Sequence, residues 1–259
     1  MKLRKLYKGV DPKKYPLRVE YDKKSKGRPA WIKIKGVPKD TFFIMVHLGK
    51  KGQEGQRIQR YQVYLPQGLF LPVNYTEKEM EKFYDKWASD YDKSIIKGKH
   101  NLNAGKFLLS KVSKYKNKGN LLDLGAGTGI ITEMFVKKGF HPTTLIDFSQ
   151  GMLNYAKKKK GLKKCSFSKQ DVRNLKLNKK YDLITSFFSF GSSSYFKRSE
   201  LDKSLGKIKK YLKNGGVIAI LGHFGEDLFK KHFKTLESGI YVLNKEKKYY
   251  TDYYIGQKK

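Results

Sequence analysis

The chain has 259 residues, 39% of them apolar and 14% aromatic, which is enough to build a core and excludes wholesale disorder. Lys and Arg number 57 against 23 Asp and Glu, a net charge of +34 that favours anionic partners such as nucleic acid, acidic membranes or phosphorylated substrates. The one cysteine, Cys165, excludes an internal disulfide or a zinc site of its own, and the most apolar stretch, Thr41 to Leu48, is too short to cross a bilayer.

Residues 1–75 are predicted to form a basic β-rich module. Leu17 to Asp22, Ala30 to Gly36, Phe42 to Leu48 and Ile58 to Pro66 are short runs rich in β-branched and aromatic residues, with a polar loop predicted over Gly49 to Arg57. From Ile32 to Lys35 apolar and basic residues alternate, as in a strand with one buried and one wet face. The second predicted domain is 76–259. Thr76-Glu77-Lys78-Glu79 reads as a capped helix start, and Met80, Phe83, Tyr84, Trp87 and Tyr91 follow as one amphipathic stripe. A second helix is expected over Asn103 to Tyr115.

Strands and helices then alternate. Strands are predicted at Leu121–Leu124, Thr143–Asp147, Lys164–Gln170, Tyr181–Phe188 and Val217–Leu221. Helices are predicted from Thr128 to Lys138, through Met152 and Tyr155, and from Arg198 to Leu212, the last stopped by Asn214-Gly215-Gly216. Gly239–Leu243 and Tyr249–Ile255 suit a closing hairpin. The expected fold is α/β: a doubly wound, mainly parallel seven-stranded sheet with a C-terminal antiparallel hairpin.

Ligands of such a sheet bind beyond the carboxyl ends of its strands. The first strand runs into Gly125-Ala126-Gly127-Thr128-Gly129, where glycines permit a tight turn and let a ligand approach backbone N–H groups. Asp147 ends the second strand, placed to accept from ribose hydroxyls, and Asp171-Val172 follows the third, where a carboxylate suits an exocyclic amine. Each has a plainer use: a strand-to-helix turn, a helix cap, a loop carboxylate.

Leu121-Leu122-Asp123-Leu124-Gly125-Ala126-Gly127-Thr128-Gly129 resembles the first motif of class I S-adenosylmethionine-dependent methyltransferases. Ile146 to Leu153 is similar to the second, with its acidic residue, Ser149 and a Met-Leu pair. Gln170-Asp171-Val172, Tyr181 to Ile184 and Leu212 to Gly216 resemble the later ones. Phe83 to Ala88 with Tyr91-Asp92 looks like the helix before the first motif in small-molecule methyltransferases. The resemblance implies S-adenosylmethionine as cofactor. Gly125, Ala126, Gly127, Thr128 and Gly129 would line its methionine part, and Asp123 would orient its amino group. Asp147 would hold the ribose, Phe148 and Met152 flank the adenine, and Asp171 and Val172 bind the adenine edge. Ser186 and Phe187 would approach the sulfonium, and Tyr91 would close the pocket. Phe148, Met152 and Tyr91 suit ordinary packing equally well.

A nicotinamide dehydrogenase would want a glycine where Ile130 stands. The resemblance also implies a small-molecule acceptor, because Ser186-Phe187-Phe188-Ser189-Phe190-Gly191 lacks the proline motif of enzymes that methylate amino groups of nucleobases. The alternative is an RNA- or protein-directed methyltransferase whose basic N-terminal module holds an anionic partner; another is a cofactor-binding regulator without catalysis. Residues 1–75 carry 18 Lys and Arg against 5 Asp and Glu, but only 7 of the chain's basic residues are Arg, so the charge fits either a functional surface or compositional drift. His223, just past the fifth strand, is a candidate base or an ordinary surface histidine. A cytoplasmic location is expected from the basic N-terminus with no apolar run behind it. The acceptor atom and oligomeric state stay open.

Overall fold

The computed structural model describes residues 18–21, 32–35, 43–48, 59–64, 77–190, 198–222, 226–244 and 249–259. The chain divides between Glu77 and Lys78 into two units, each described by itself. In the first, β1 (Arg18–Tyr21) pairs antiparallel with β2 (Ile32–Lys35), and β3 (Phe43–Leu48) with β4 (Gln59–Tyr64). All four lie within the predicted runs. The predicted loop at 49–57 and the Thr76 cap lie outside the described residues, except that the helix itself begins at Glu77.

The second unit opens with α1 (Glu77–Gly98) and α2 (His100–Val112). Then come β5 (Leu121–Leu124), α3 (Thr132–Lys137), β6 (Thr143–Asp147), α4 (Gln150–Lys158), β7 (Ser166–Lys169), β8 (Tyr181–Phe187), α5 (Arg198–Lys210), β9 (Leu212–Gly222), α6 (Glu226–His232), β10 (Phe233–Asn244) and β11 (Tyr249–Lys258). One sheet takes the strands in the order β10-β11-β9-β8-β5-β6-β7. The pairs β5–β6, β6–β7, β5–β8 and β8–β9 are parallel, and β11 runs antiparallel to both β9 and β10. The predicted mainly parallel sheet with its closing hairpin is the observed one.

Both faces of the sheet are covered, which is why its central strands are continuous apolar runs. Leu122, Leu124, Ile184 and Ile218 pack with Leu205 and Ile208 of α5 and with Phe229, Phe233 and Tyr254. On the opposite face Leu145 meets Leu153, Ala156 and Leu162. Helix α2 is tied to the hairpin: Phe107 stacks on Tyr241 at 4.5 Å, and Lys111 pairs with Glu237. Among the described residues no helix is long and apolar enough to cross a membrane.

Three elements differ from the sequence pattern. Helix α3 starts at Thr132, not Thr128, because Gly127 and Gly129 hold positive φ values of 56° and 69° and the chain needs two more residues to turn. Gly215 and Gly216 do not lie outside the fifth strand. They form a bulge inside β9, where Tyr181 faces Leu212 but Leu183 faces Val217, and Gly215 takes a φ of 68°. Helix α6 has no counterpart in the prediction, since seven residues are too few for a readable period.

Candidate functional site

Strand β5 has β6 on one side and β8 on the other, so the chain reverses its direction of winding at the carboxyl end of β5. That switch point is where an open α/β sheet forms its crevice, and the loop 125–129 lies there. Gly125 and Ala126 donate their N–H groups to the Ile146 carbonyl, at 2.8 and 2.9 Å, which holds the loop against the end of β6. The three glycines have different surroundings. A Cβ on Gly125 would fall 2.0 Å from Ser189 Oγ, and one on Gly129 would fall 2.5 Å from Leu162 Cδ1. A Cβ on Gly127 would meet only Tyr91 Cε1, at 3.9 Å. The open side of the loop is therefore at Gly127, beneath Tyr91.

Asp147 stands beside it. Its Oδ2 accepts from Gly127 N–H at 2.8 Å and its Oδ1 from Ser149 N–H at 2.8 Å. Burial pushes its carboxyl up to about 6 despite these donors, with Asp85 adding to the rise. Phe148 lies edge-on to Tyr84 at 5.6 Å, and Trp87 edge-on to Tyr91 at 4.9 Å. Burial also drives the Tyr91 phenol well above its ordinary value, and Tyr84 and Asp147 push it further. The phenol stays neutral.

Other candidates are engaged within the protein. Asp123 is 1% exposed and accepts hydroxyl hydrogens from Thr132 and from Thr185, the latter at 2.9 Å, so it ties β5 to α3 and β8 from beneath the loop. Thr128 is buried, donates to Asp92 and receives Lys159 Nζ at 3.4 Å. Met152 is fully buried, and Val172 packs partly against the core. Asp171 lies one strand over from Asp147. It accepts from the Arg173 N–H and holds the Arg173 guanidinium, which keeps its carboxyl below the usual range against the effect of burial. Ser186 Oγ donates to the Leu124 carbonyl at 2.8 Å, and Phe187 meets Phe135 at 5.8 Å. These two residues therefore bond β8 to β5 and pack on α3. The rim beside Gly125 is formed instead by Ser189, whose Oγ reaches the Gly125 carbonyl at 3.2 Å, after Phe188 with a φ of 56°. A bulky residue held there is strained. Cys165 is half-buried against the α4 face of the core, and His223 lies outside the described residues.

Sequence reasoning missed Thr132, Thr185 and Ser189, and it gave no role to Asp85 and Asp92. Asp85 Oδ1 accepts from Ser149 Oγ at 2.6 Å and from Gly151 N–H at 2.7 Å. Asp92 accepts from Thr128 and pairs with Lys159 Nζ at 2.6 Å. The signal was present: Tyr84-Asp85 recurs as Tyr91-Asp92 two helical turns later, an acid and an aromatic on one face.

Burial of Asp123 pushes its carboxyl from 3.8 up to about 7. A folded value above the unfolded one means that the native state keeps its proton longer. The associated stability is present below the unfolded value and is lost as the pH rises to the folded one. We expect wild type to lose about 2 kcal/mol against Asp123→Asn between about pH 5 and about pH 8. Urea unfolding of both proteins measures this, and a gap that stays flat or changes the other way would contradict it.

A separate groove on the α5 face, lined by Thr144, Ser166, Ser168, Tyr181 and Tyr211 among others, is away from this crevice. Its hydroxyls and amides bond one another, as Tyr181 does to Thr144 at 3.1 Å and Gln170 to Ser168 at 2.8 Å.

Residues 121–216 match the family model described as a methyltransferase domain. Over 164 residues the chain is 29% identical to malonyl-[acyl-carrier protein] O-methyltransferase of Bacillus cytotoxicus, covering 61% of this chain and 54% of that protein. It is 31% identical over 150 residues to demethylmenaquinone methyltransferase of Chlamydia pneumoniae, covering 55% and 60%. The chain spans about half the length of the curated relatives it matches. Among solved structures, the N-methyltransferase NodS of Bradyrhizobium japonicum with S-adenosyl-L-homocysteine superposes with a TM-score of 0.53 at 13% identity, covering 60% of this chain and 86% of that one. That likeness establishes the fold. Residues 121–216 are thus a methyltransferase domain, set in the Rossmann-like sheet of the S-adenosylmethionine-dependent class that the motifs resemble.

Proposed function

We propose that the chain is an S-adenosylmethionine-dependent methyltransferase acting on a small-molecule acceptor in the cytoplasm. The observation that carries this is the open face of Gly127, at the switch point of the sheet, between the Asp147 carboxylate and the Tyr91 ring. The cofactor, when bound, supplies a methyl group on a sulfonium that is already activated as a leaving group. The residues suit it. Gly127 lets the ligand lie against the loop backbone, and Asp147 accepts from the ribose hydroxyls. Phe148 and Tyr84 offer aromatic edges to a base, and the neutral Tyr91 ring faces a cation favourably. Asp123 acts at one remove, by tying the strand that presents the loop to α3 and β8. Asp171 and Val172 form the adenine edge, with Arg173 as the partner that Asp171 shares. Positioning of the acceptor supplies much of the rate in such a transfer, so the site requires a base only for an acceptor that arrives protonated.

The relatives' names span a malonyl group on a carrier protein and a demethylmenaquinone, so carboxylates and the electron-rich ring carbon of a reduced naphthoquinone are the acceptors to screen first. A second reading, in which residues 1–75 form a separate module that holds an anionic macromolecule, is favoured by one observation. The strand registers set Arg18 opposite Lys35 and His47 opposite Arg60, so basic positions coincide across both ladders. Calorimetric titration with S-adenosylmethionine tests the cofactor, and turnover on a panel of carboxylates and reduced naphthoquinones tests the acceptor. Micromolar binding with turnover lacking RNA supports the first reading. Turnover only with RNA, with an affinity that falls steeply with salt, supports the second. No binding to the cofactor would sink both.

A further inference from the structure

Helix α1 does more than cover the crevice with aromatic rings. Asp85 and Asp92 lie seven residues apart on one face, and each grips one of the two loops from which the crevice is made. Asp85 holds the 147–151 turn through Ser149 Oγ (2.6 Å) and Gly151 N–H (2.7 Å), and Asp92 holds the glycine loop through Thr128 and Lys159. The first grip has a clear electrostatic basis. Helix α4 has no acidic residue in its own first turn, and besides Asp147 just before its N-cap its N-terminal dipole needs a further counter-charge from outside the helix. Asp85, from another helix, supplies one. Contact there is close enough that a Cβ on Gly151 would fall 2.7 Å from Asp85 Cα. Ser149 links this grip to the crevice, because its hydroxyl donates to Asp85 while its N–H donates to Asp147. At the far end of α1, Lys99 alone separates it from α2, with a φ of 55°.

We infer that Asp85 and Asp92 are positioning residues that latch α1 across the cofactor loops, with Asp85 fixing Asp147 through Ser149, and that the latch sets how fast a bound nucleoside leaves. The inference rests on the cofactor reading above for its ligand but not for its mechanics.

Two measurements on the full chain keep the two apart. Hydrogen–deuterium exchange of the ligand-free protein reads the latch directly. Asp85→Ala should speed exchange in α1 and at the start of α4 by about tenfold, the amount expected when two hydrogen bonds at one site are lost. Asp85→Asn should fall between wild type and Asp85→Ala, because both bonds run to Oδ1 and an amide oxygen still accepts them, while the charge beside the α4 N-terminus is lost. Dissociation of S-adenosylhomocysteine, followed by stopped flow, should quicken about fivefold in Asp85→Ala and in Asp92→Ala, within the range of one lost hydrogen bond. It should be unchanged in Asp202→Ala, whose partners are Lys231 and His232. If Asp85→Ala does not fold, Gly151→Ala tests the same contact from the other side and should speed exchange in α1. The latch is overturned if Asp85→Ala and Gly151→Ala exchange as wild type does, or if Asp85→Asn is as damaging as Asp85→Ala. Failure of wild type to bind S-adenosylhomocysteine would count against the cofactor reading, while the exchange result still decides the latch.

Discussion

Gly129→Ala is expected to lower the stability of the methyltransferase domain by about 3 kcal/mol. Two costs add. The first is conformational: a φ of 69° places a Cβ against the following carbonyl, at about 1–2 kcal/mol for a residue other than glycine. The second is steric. The new methyl would lie 2.5 Å from Leu162 Cδ1 and 2.8 Å from Leu145 Cδ2, both fully buried, and overpacking of that kind costs about 1–3 kcal/mol. Gly127→Ala carries the first cost without the second, because its Cβ would face open space beneath Tyr91. Urea unfolding should therefore separate the two variants by about 1 kcal/mol or more. Equal losses would mean that the glycines serve one common role. The comparison also distinguishes glycines that serve packing from the one proposed to serve a ligand, since on that reading Gly127→Ala should weaken cofactor binding more than it weakens the fold.

Asp147→Ala is expected to weaken S-adenosylmethionine binding by about tenfold or more, which corresponds to about 1.4 kcal/mol. The carboxylate organises the crevice by holding the Gly127 and Ser149 N–H groups, and in the proposed reading it is also the acceptor for ribose hydroxyls. Because burial raises its carboxyl to about 6, the ionised acceptor form dominates only above that value. Wild-type affinity should fall by several-fold, about one pK unit's worth, as the pH drops from about 7.5 to about 5. The Asp147→Asn variant should bind weakly with a flat profile. Calorimetry across that range measures both, and a wild-type affinity independent of pH would argue that the carboxyl does not meet the ligand.

Most of the fold was legible because buried parallel strands are written as apolar runs. Leu121–Leu124 and Tyr181–Phe187 could hardly be anything else, and the glycine loop marks its own place at a strand end. The place of Asp147 at the end of β6 was legible for the same reason. The surroundings of Ser186 and Phe187 were not, because the Leu124 carbonyl and the Phe135 ring that engage them come from elements far away in the sequence. The Asp123 partners Thr132 and Thr185 come from different elements, nine and sixty-two residues away, and no local pattern announces such a bond. The grips of Asp85 and Asp92 were hidden differently. On a helix as highly charged as α1, acids read as solvated surface, and only the fold's return of the two loops to α1 reveals what they hold. The bulge at Gly215 and Gly216 imitates a helix stop, since both need a residue tolerant of positive φ.

The position of β11 between β9 and β10 has a consequence for synthesis. Strands emerge from the ribosome in chain order, but the sheet does not assemble in that order. A nascent chain extended through β10 has its central parallel strands in place while the flank of β9, from Val217 to Gly222, still lacks the partner that it finally takes. That flank is a long apolar edge, the kind that recruits other chains. Its natural occupant carries Tyr254, among the largest fully buried side chains of the molecule. Completion of the sheet thus waits for β11, which alone joins β10 to β9, and until it docks the growing protein is most exposed to aggregation at β9 rather than at the glycine loop.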